Sequence, residues 1–191
     1  MLQLNLELLK LLSTDTQKFQ QSLRGDRFHL NLSKSCQTQK DNERLQLLVQ
    51  QLLLGLPGEP LLQIYPVQAN WINQLQPIIT TPNEEKQLNI VYQKLIQNIL
   101  VFTCFDLLVA GYDKINAINW LTRNNSWDAD HLRNSWNTQL SLFLLPENEK
   151  VLPENLSITY CFLNCKQLRP FTIFPITSHN MIVLINAYKA H

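Results

Sequence analysis

The stretch that decides the fold is Thr81–Gly111, TPNEEKQLNIVYQKLIQNILVFTCFDLLVAG. Its first half places apolar residues at helical spacing, and nearly every residue from 99 to 110 is apolar. Thr81, Pro82 and Glu84 match the capping box that opens many helices, and the final glycine is a common helix stop. We therefore expect one long helix that crosses the core of the domain.

The composition predicts a soluble, cytoplasmic protein. The chain has 191 residues, a formal net charge of +1 and a charged fraction of 16%. So small a net charge does not attract nucleic acid or anionic lipid over the whole surface. The N-terminus lacks the positive region of a secretory signal, and the apolar run of residues 99–110 is too short to span a bilayer. We expect no membrane span.

The sequence before residue 145 indicates a helical body. Leucines between residues 4 and 23 and across residues 43–54 are spaced as on amphipathic helices. Residues 33–42 carry no aliphatic or aromatic side chain, which indicates a flexible loop. The shorter elements expected are a strand at 61–65 and helices at 67–75, near 118–121, and from about 126 or 128 to 144.

Beyond residue 145 the character changes toward strands. Residues 156–163 show a strand-like alternation and include β-branched and aromatic side chains. Residues 171–174 lie between two prolines, and residues 181–188 are nearly all apolar. Short connections between such strands favour an antiparallel meander. We therefore expect a single α+β domain over residues 1–191, with a helical body at 1–145, a long central helix, and a C-terminal antiparallel β-meander at 156–188 packed on it.

Asp106 is the one charged residue in the apolar run of residues 99–110. A buried carboxylate must be neutral, paired or hydrogen-bonded, because burying it alone costs several kcal/mol. One interpretation is a structural pair with Arg123 or with the hydroxyl of Tyr112. The other is a catalytic acid or base in a pocket. No second acid or histidine accompanies Asp106 at a fixed spacing, so the structural interpretation is favoured.

No cofactor or metal site is predicted. Cys161 and Cys165 with His179 are the best metal candidates, but four residues of extended strand separate the two thiols by about 13 Å. Two thiolates on one zinc ion each lie about 2.3 Å from the metal. The few glycines form no phosphate-binding loop, and no glycine-flanked nucleophile precedes a helix.

Basic residues give a weak nucleic-acid hypothesis. The segment from residue 18 to residue 40 is basic, and a Trp-rich stretch at 120–136 contains two arginines. In that stretch the spacing of Trp136 with Leu132 and Leu140 is typical of a core face instead. The candidate nucleic-acid contacts are Arg24, Arg27, Lys34, Lys40, Arg123 and Arg133.

The absence of a chemical motif and the weakly charged apolar helices favour an interaction protein. The leading hypothesis is a non-catalytic protein that binds another protein, or copies of itself, as an adaptor, assembly factor or regulator. The alternative is a nucleic-acid-binding regulator that uses the basic segment at residues 18–40. A second alternative is an enzyme with a pocket around Asp106.

Overall fold

The computed structural model describes residues 2–4, 36–96, 99–122, 129–149, 151–164 and 170–173. A first short strand is followed by three helices, three strands, two further helices and two last strands, and the strands form one sheet. In chain order the elements are β1 (Leu2–Leu4), α1 (Cys36–Leu53), α2 (Glu59–Ile64), α3 (Pro66–Ile79), β2 (Glu85–Ile96), β3 (Ile99–Ala110), β4 (Ile115–Leu121), α4 (Ala129–Asn134), α5 (Trp136–Glu149), a 3₁₀ turn (Pro153–Asn155), β5 (Leu156–Phe162) and β6 (Pro170–Ile173).

The sheet is mixed, and β3 pairs with three strands, β1, β2 and β4. β2 and β3 are antiparallel along their whole length, and only residues 97 and 98 join them. On the other edge of β3, the start of the strand pairs with β1 in parallel and its end pairs with β4 antiparallel. β5 runs parallel to β4, and β6 runs antiparallel to β5. The β4–β5 connection contains α4 and α5, as a parallel crossover requires.

Helices cover both faces of this sheet. Side chains of α1 and α3 pack with Ile118, Trp120 and Cys161, whereas side chains of α4 and α5 pack with Ala117 and Tyr160. Alternate residues of β4 and β5 thus point into different cores, as the pleat of a strand requires. The result is a three-layer arrangement, with α1–α3 on one face and α4–α5 on the other.

Buried hydroxyl groups attach α5 to its face of the sheet. Thr103 of β3 and Ser141 of α5 lie 2.7 Å apart between their hydroxyl oxygens. The hydroxyl of Thr138 is 2.7 Å from that of Tyr160 in β5. Burial raises the pKa of Tyr160 above its ordinary value, and the hydrogen bond with Thr138 partly opposes this rise. The two hydroxyl pairs fix the position of α5 along the strands.

The long central helix expected over Thr81–Gly111 is wrong, because this stretch is the β2–β3 hairpin. A short apolar run fits a buried strand as well as a buried helix, and helices cover both faces of β3 over residues 107–110. β-Branched and aromatic residues are abundant in both strands and favour the extended form. Thr81 opens no helix: its hydroxyl donates to the carbonyl of Pro77 at 2.9 Å, at the end of α3.

The C-terminal meander expected at residues 156–188 is also wrong. β5 and β6 are strands and are antiparallel to each other, but β5 joins β4 in parallel and belongs to the central sheet. The third expected strand, at 181–188, lies outside the described residues. A long helical crossover between two parallel strands leaves no local signal in either strand, so the sequence pattern did not reveal this pairing.

The smaller elements agree in part. The helix expected at 43–54 is the C-terminal part of α1, and α3 contains the one expected at 67–75. The strand expected at 61–65 is largely helix α2, and the helix expected at 118–121 belongs to β4. α1 begins at Cys36, inside the segment 33–42, and most of the helix expected between residues 4 and 23 lies outside the described residues. Within the described residues, no helix is long and apolar enough to cross a membrane.

Candidate functional site

The β2–β3 hairpin changes the face of its side chains at one level, marked by Asn89 and Asp106. Leu88 packs with the α1–α3 core, whereas Ile90 packs with the α5 core. In β3, Leu107 likewise packs toward α1 and Phe105 toward α5. Asn89 has a φ of 55°, a left-handed conformation that non-glycine residues rarely adopt. Because both strands change face at the same level, the register stays constant on either side of it.

Asp106 lies where the hydrogen bonds between the main chains of β3 and β4 end, and its carboxylate accepts a hydrogen bond there instead. β3 and β4 stay paired up to Leu107 and Ile118. Next to that pair, the main-chain N–H of Trp120 donates to Asp106 Oδ2 at 2.9 Å. The main-chain N–H of Asp106 donates in turn to Asn119 Oδ1 at 3.3 Å. Side chains therefore bridge β3 and β4 where the ladder between them ends.

A third hydrogen bond joins this junction to the helical layer. Gln46 of α1 donates from Nε2 to Asp106 Oδ1 at 3.3 Å. The two carboxylate oxygens thus hold β4 and α1 in fixed positions relative to β3. Of the partners expected from the sequence, Tyr112 is fully exposed in the turn after β3, and Arg123 lies outside the described residues. The observed contacts match a structural use of the carboxylate.

Polar side chains also connect α1 with the carboxyl ends of β4 and β5. The Thr122 hydroxyl, just after β4, donates to Asn42 Oδ1 at 2.9 Å. Asn164, just after β5, donates its amide to the carbonyl of Thr122. Gln68 of α3 donates to Asp41 Oδ1 at 3.0 Å. These bonds tie the start of α1 to the sheet and to α3.

Cys161 lies close to the same junction, in the α1–α3 core. It is completely buried, and burial together with the negative charge of Asp106 raises its pKa to about 12. Only the thiolate is a strong nucleophile or metal ligand. In the folded protein Cys161 is therefore an unreactive thiol.

This burial gives a direct prediction for alkylation by iodoacetamide at about pH 8. The exposed Cys104 is expected to react in the folded protein, while Cys161 reacts only after denaturation. Peptide mapping by mass spectrometry measures both residues in one sample, so Cys104 is the internal reference. Equal modification of the two residues in the folded state contradicts the assignment.

The other chemical candidates are not brought together by the described residues. Among them, no group of three or more histidine, cysteine or acidic side chains is placed to hold a metal ion. Cys165 and His179, the candidate ligands that would join Cys161, lie outside the described residues. The described residues therefore give no support for a metal centre.

Two of the candidate nucleic-acid contacts lie on opposite layers of the protein. Lys40 is exposed on α1, and Arg133 is exposed on α4. Because α1 and α4 pack on opposite faces of the sheet, these two side chains do not form one basic surface. Arg24, Arg27, Lys34 and Arg123 lie outside the described residues.

Among the described strands, exposed apolar side chains lie at the far half of the hairpin. There Val91 lies opposite Cys104, and Gln93 lies opposite Phe102. Val91 and Leu95 are each 56% exposed, Cys104 and Gln93 are exposed, and Phe102 is half-buried. Neighbouring residues point the other way, since Lys94 contacts Glu147 of α5 at 2.8 Å. We name the surface of Val91, Gln93, Leu95, Phe102 and Cys104 the outer hairpin face.

Sequence reasoning missed this face because it treated the hairpin as a helix. On a helix, Val91 and Leu95 stand one turn apart, and the expected helix crossed the core. On a strand, residues 91, 93 and 95 share one side. The sequence signal that indicates the face is the alternation of side chains with a period of two residues in both strands of the hairpin.

No protein-family model matches the chain, and no curated protein is significantly similar to it. The fold and the site therefore define the class of protein directly: a three-layer α/β/α protein with a mixed sheet, a polar junction at Asp106 and an exposed apolar hairpin face.

Proposed function

We propose that this is a non-catalytic protein-binding protein and that the outer hairpin face is its contact surface. The observation that carries the proposal is the exposure of Val91 and Leu95 on one side of a strand whose other side is packed on α5. Single exposed apolar residues are normal, but a contiguous group marks an interaction site. The register makes this group contiguous, because Val91 and Leu95 flank Gln93 and lie beside the neighbouring strand β3.

The free energy gained by covering the outer hairpin face suits a specific contact. Complete burial of a valine or leucine side chain contributes about 1.5–3 kcal/mol. Val91 and Leu95 are half-exposed, so a partner that covers both gains roughly 2 kcal/mol from them alone. Phe102 lies beside them, and aromatic residues dominate the energetics of many interfaces. The rigid β-hairpin presents these residues without an ordering cost in a loop.

The chemistry of the face indicates the partner. Gln93 and Cys104, the polar members of the face, carry no formal charge. The nearest charged side chain on the strand, Lys94, points to the other side of the sheet. We infer a protein partner with a complementary apolar surface, rather than a phosphorylated or nucleic-acid ligand. An adaptor, assembly factor or regulator in the cytoplasm fits such a contact.

The variant V91E/L95E tests the proposal. Two buried carboxylates in the interface are expected to weaken binding of the partner about a hundredfold, since an unpaired buried charge costs several kcal/mol. The variant Q63E/Q76E adds the same two charges at exposed positions on α2 and α3, and it serves as the matched control. Both variants should keep the melting temperature of the wild type, because all four positions are exposed.

The measurement has two stages. Tagged wild type, V91E/L95E and Q63E/Q76E are purified from cells at native expression, and proteins that the double face variant loses are identified by quantitative mass spectrometry. Each such protein is then purified, and its Kd for the wild type and the two variants is measured by calorimetry. Unchanged Kd values for V91E/L95E would remove the outer hairpin face from the proposal.

The two alternative functions receive less support from the geometry. The nucleic-acid hypothesis needs a joint basic surface, and Lys40 and Arg133 stand on opposite layers. The enzyme hypothesis needs a carboxylate directed at a substrate, and Asp106 accepts hydrogen bonds from Trp120 and Gln46.

A further inference from the structure

β2 is a long strand at the edge of the described sheet. It has 12 residues, and among the described strands its one partner is β3. An edge strand presents a row of N–H and C=O groups that pair readily with another strand. We propose that a second copy of this chain pairs antiparallel with β2 about a twofold axis between Asn89 and Ile90, which forms a continuous sheet across a homodimer.

The face change at Asn89 determines which registers are allowed. Residues directly opposite each other in an antiparallel pair point to the same face. Before Asn89, even-numbered residues such as Leu88 point toward α1, and after it even-numbered residues such as Ile90 point toward α5. A residue before Asn89 must therefore pair with one of opposite parity after it. A regular strand has no such switch and requires equal parity.

In one of these registers the side chains of β2 are complementary to those of β2 in the second copy. When Leu88 lies opposite Val91 of the second copy, Glu85 lies opposite Lys94 of the second copy. Apolar residues then meet each other near the axis, and opposite charges meet at both ends. Shifting the register by two residues either way sets Lys86 against Val91 or against Leu95. Opposite-charge and apolar pairs stabilise neighbouring strands, so the first register is favoured.

The remaining polar residues fit this register as well. Gln87 lies opposite Tyr92 of the second copy, and Lys86 lies opposite Gln93, so no like charges meet. Glu85 and Gln87 are exposed in one copy, where Gln87 donates to the Glu85 carboxylate at 2.7 Å, and that carboxylate can accept a further hydrogen bond. Lys94 already contacts Glu147 of its own chain at 2.8 Å, and its ammonium has donors for a second carboxylate.

The dimer does not depend on the proposed function, but it would extend the binding surface. Val91 lies near the twofold axis, so the outer hairpin faces of the two copies adjoin across it. Each outer hairpin face then lies beside the near half of the other copy's hairpin, and the assembly presents two equivalent positions for a partner. Two linked sites bind a dimeric partner far more tightly than one site does.

Charge reversal tests the pairing and its register together. Dimerisation of the full-length chain is measured by sedimentation velocity at micromolar concentrations for the wild type, E85K and K94E. In each single variant, two like-charge pairs replace two attractive pairs, and dimerisation is expected to weaken about tenfold. An equimolar mixture of E85K and K94E restores both attractive pairs in the heterodimer. The mixture is therefore expected to dimerise more strongly than either variant alone.

Two further variants separate this effect from changes within one chain. E147Q removes the contact between Lys94 and Glu147 but leaves the proposed pair intact, so it should dimerise like the wild type. The double variant E85K/K94E should also dimerise like the wild type, although it retains a repulsive contact with Glu147. Circular dichroism confirms that each variant is folded.

Three results overturn the proposal. The wild type is a monomer at these concentrations, in which case Lys86 and Lys94 protect the edge from pairing. The single variants dimerise as strongly as the wild type, which places the interface elsewhere. The mixture of E85K and K94E fails to restore a dimer that both variants have lost, which excludes the register.

Discussion

Phe105→Ala is expected to lower the free energy of unfolding by about 3–5 kcal/mol, the cost typical of removing a buried phenylalanine. The Phe105 side chain is 1% exposed and packs in the α4–α5 core. Its ring also meets that of Tyr92 edge to face, with the centroids 5.7 Å apart. Chemical denaturation of the purified protein, followed by circular dichroism, measures the loss.

Phe102 provides the matched control for this substitution. It is the same residue type on the same strand, but it is half-buried on the outer hairpin face. Phe102→Ala is therefore expected to cost roughly 1 kcal/mol, less than half of the Phe105 value. Equal losses for the two variants would contradict the assignment of the two rings to different faces of β3.

Asp106→Ala is expected to destabilise the protein by about 2–3 kcal/mol, because the substitution removes the acceptor of a buried donor. Trp120 is only 4% exposed, so its main-chain N–H has little access to replacement water. Asp106→Asn keeps one side-chain oxygen as an acceptor and is expected to cost less than the alanine variant. Thermal and urea unfolding of the three proteins give the order of stability.

Gln46→Ala separates the two parts of the junction. It removes the hydrogen bond from α1 but leaves the bond between Trp120 and Asp106 in place. Because that hydrogen bond is partly exposed, its loss is expected to cost roughly 1 kcal/mol. If Asp106→Ala is as stable as the wild type, the carboxylate does not hold β3 and β4 together.

The sequence predicted individual elements better than it predicted their arrangement. α1 and α3 follow the spacing of leucine, tryptophan and isoleucine on amphipathic helices. β5 shows the alternation and the β-branched residues of a strand. These signals are local, because each depends on side chains within a few residues of one another.

The hairpin was misread because the same residues satisfy two periods. In β2 the apolar residues Leu88, Val91 and Leu95 are three and four apart, as on a helix face. That spacing arises from the face change at Asn89, which shifts the period of two by one residue. Thr81 and Glu84 then gave the appearance of a helix start. A distortion in the strand thus produced a false helical pattern.

The candidate site was predictable only in part. Asp106 was recognised as a carboxylate that needs partners, since its neighbours in sequence are apolar. Its observed partners come from α1 and β4, and two of these bonds involve main-chain N–H groups. Main-chain donors carry no sequence signal, and their availability depends on where the β3–β4 ladder ends. That information exists only in the fold.

The face change at Asn89 and Asp106 gives the two helical layers a shared structural member. The near half of the hairpin packs on α1 and α3 through Leu88 and Leu107 and also reaches the α4–α5 core through Leu108. The far half packs in the α4–α5 core through Ile90 and Phe105. Two continuous backbones therefore run from the part of the hairpin that packs on α1 and α3 to the outer hairpin face, without any loop in between. The hairpin is in this sense one structural element that both helical layers share.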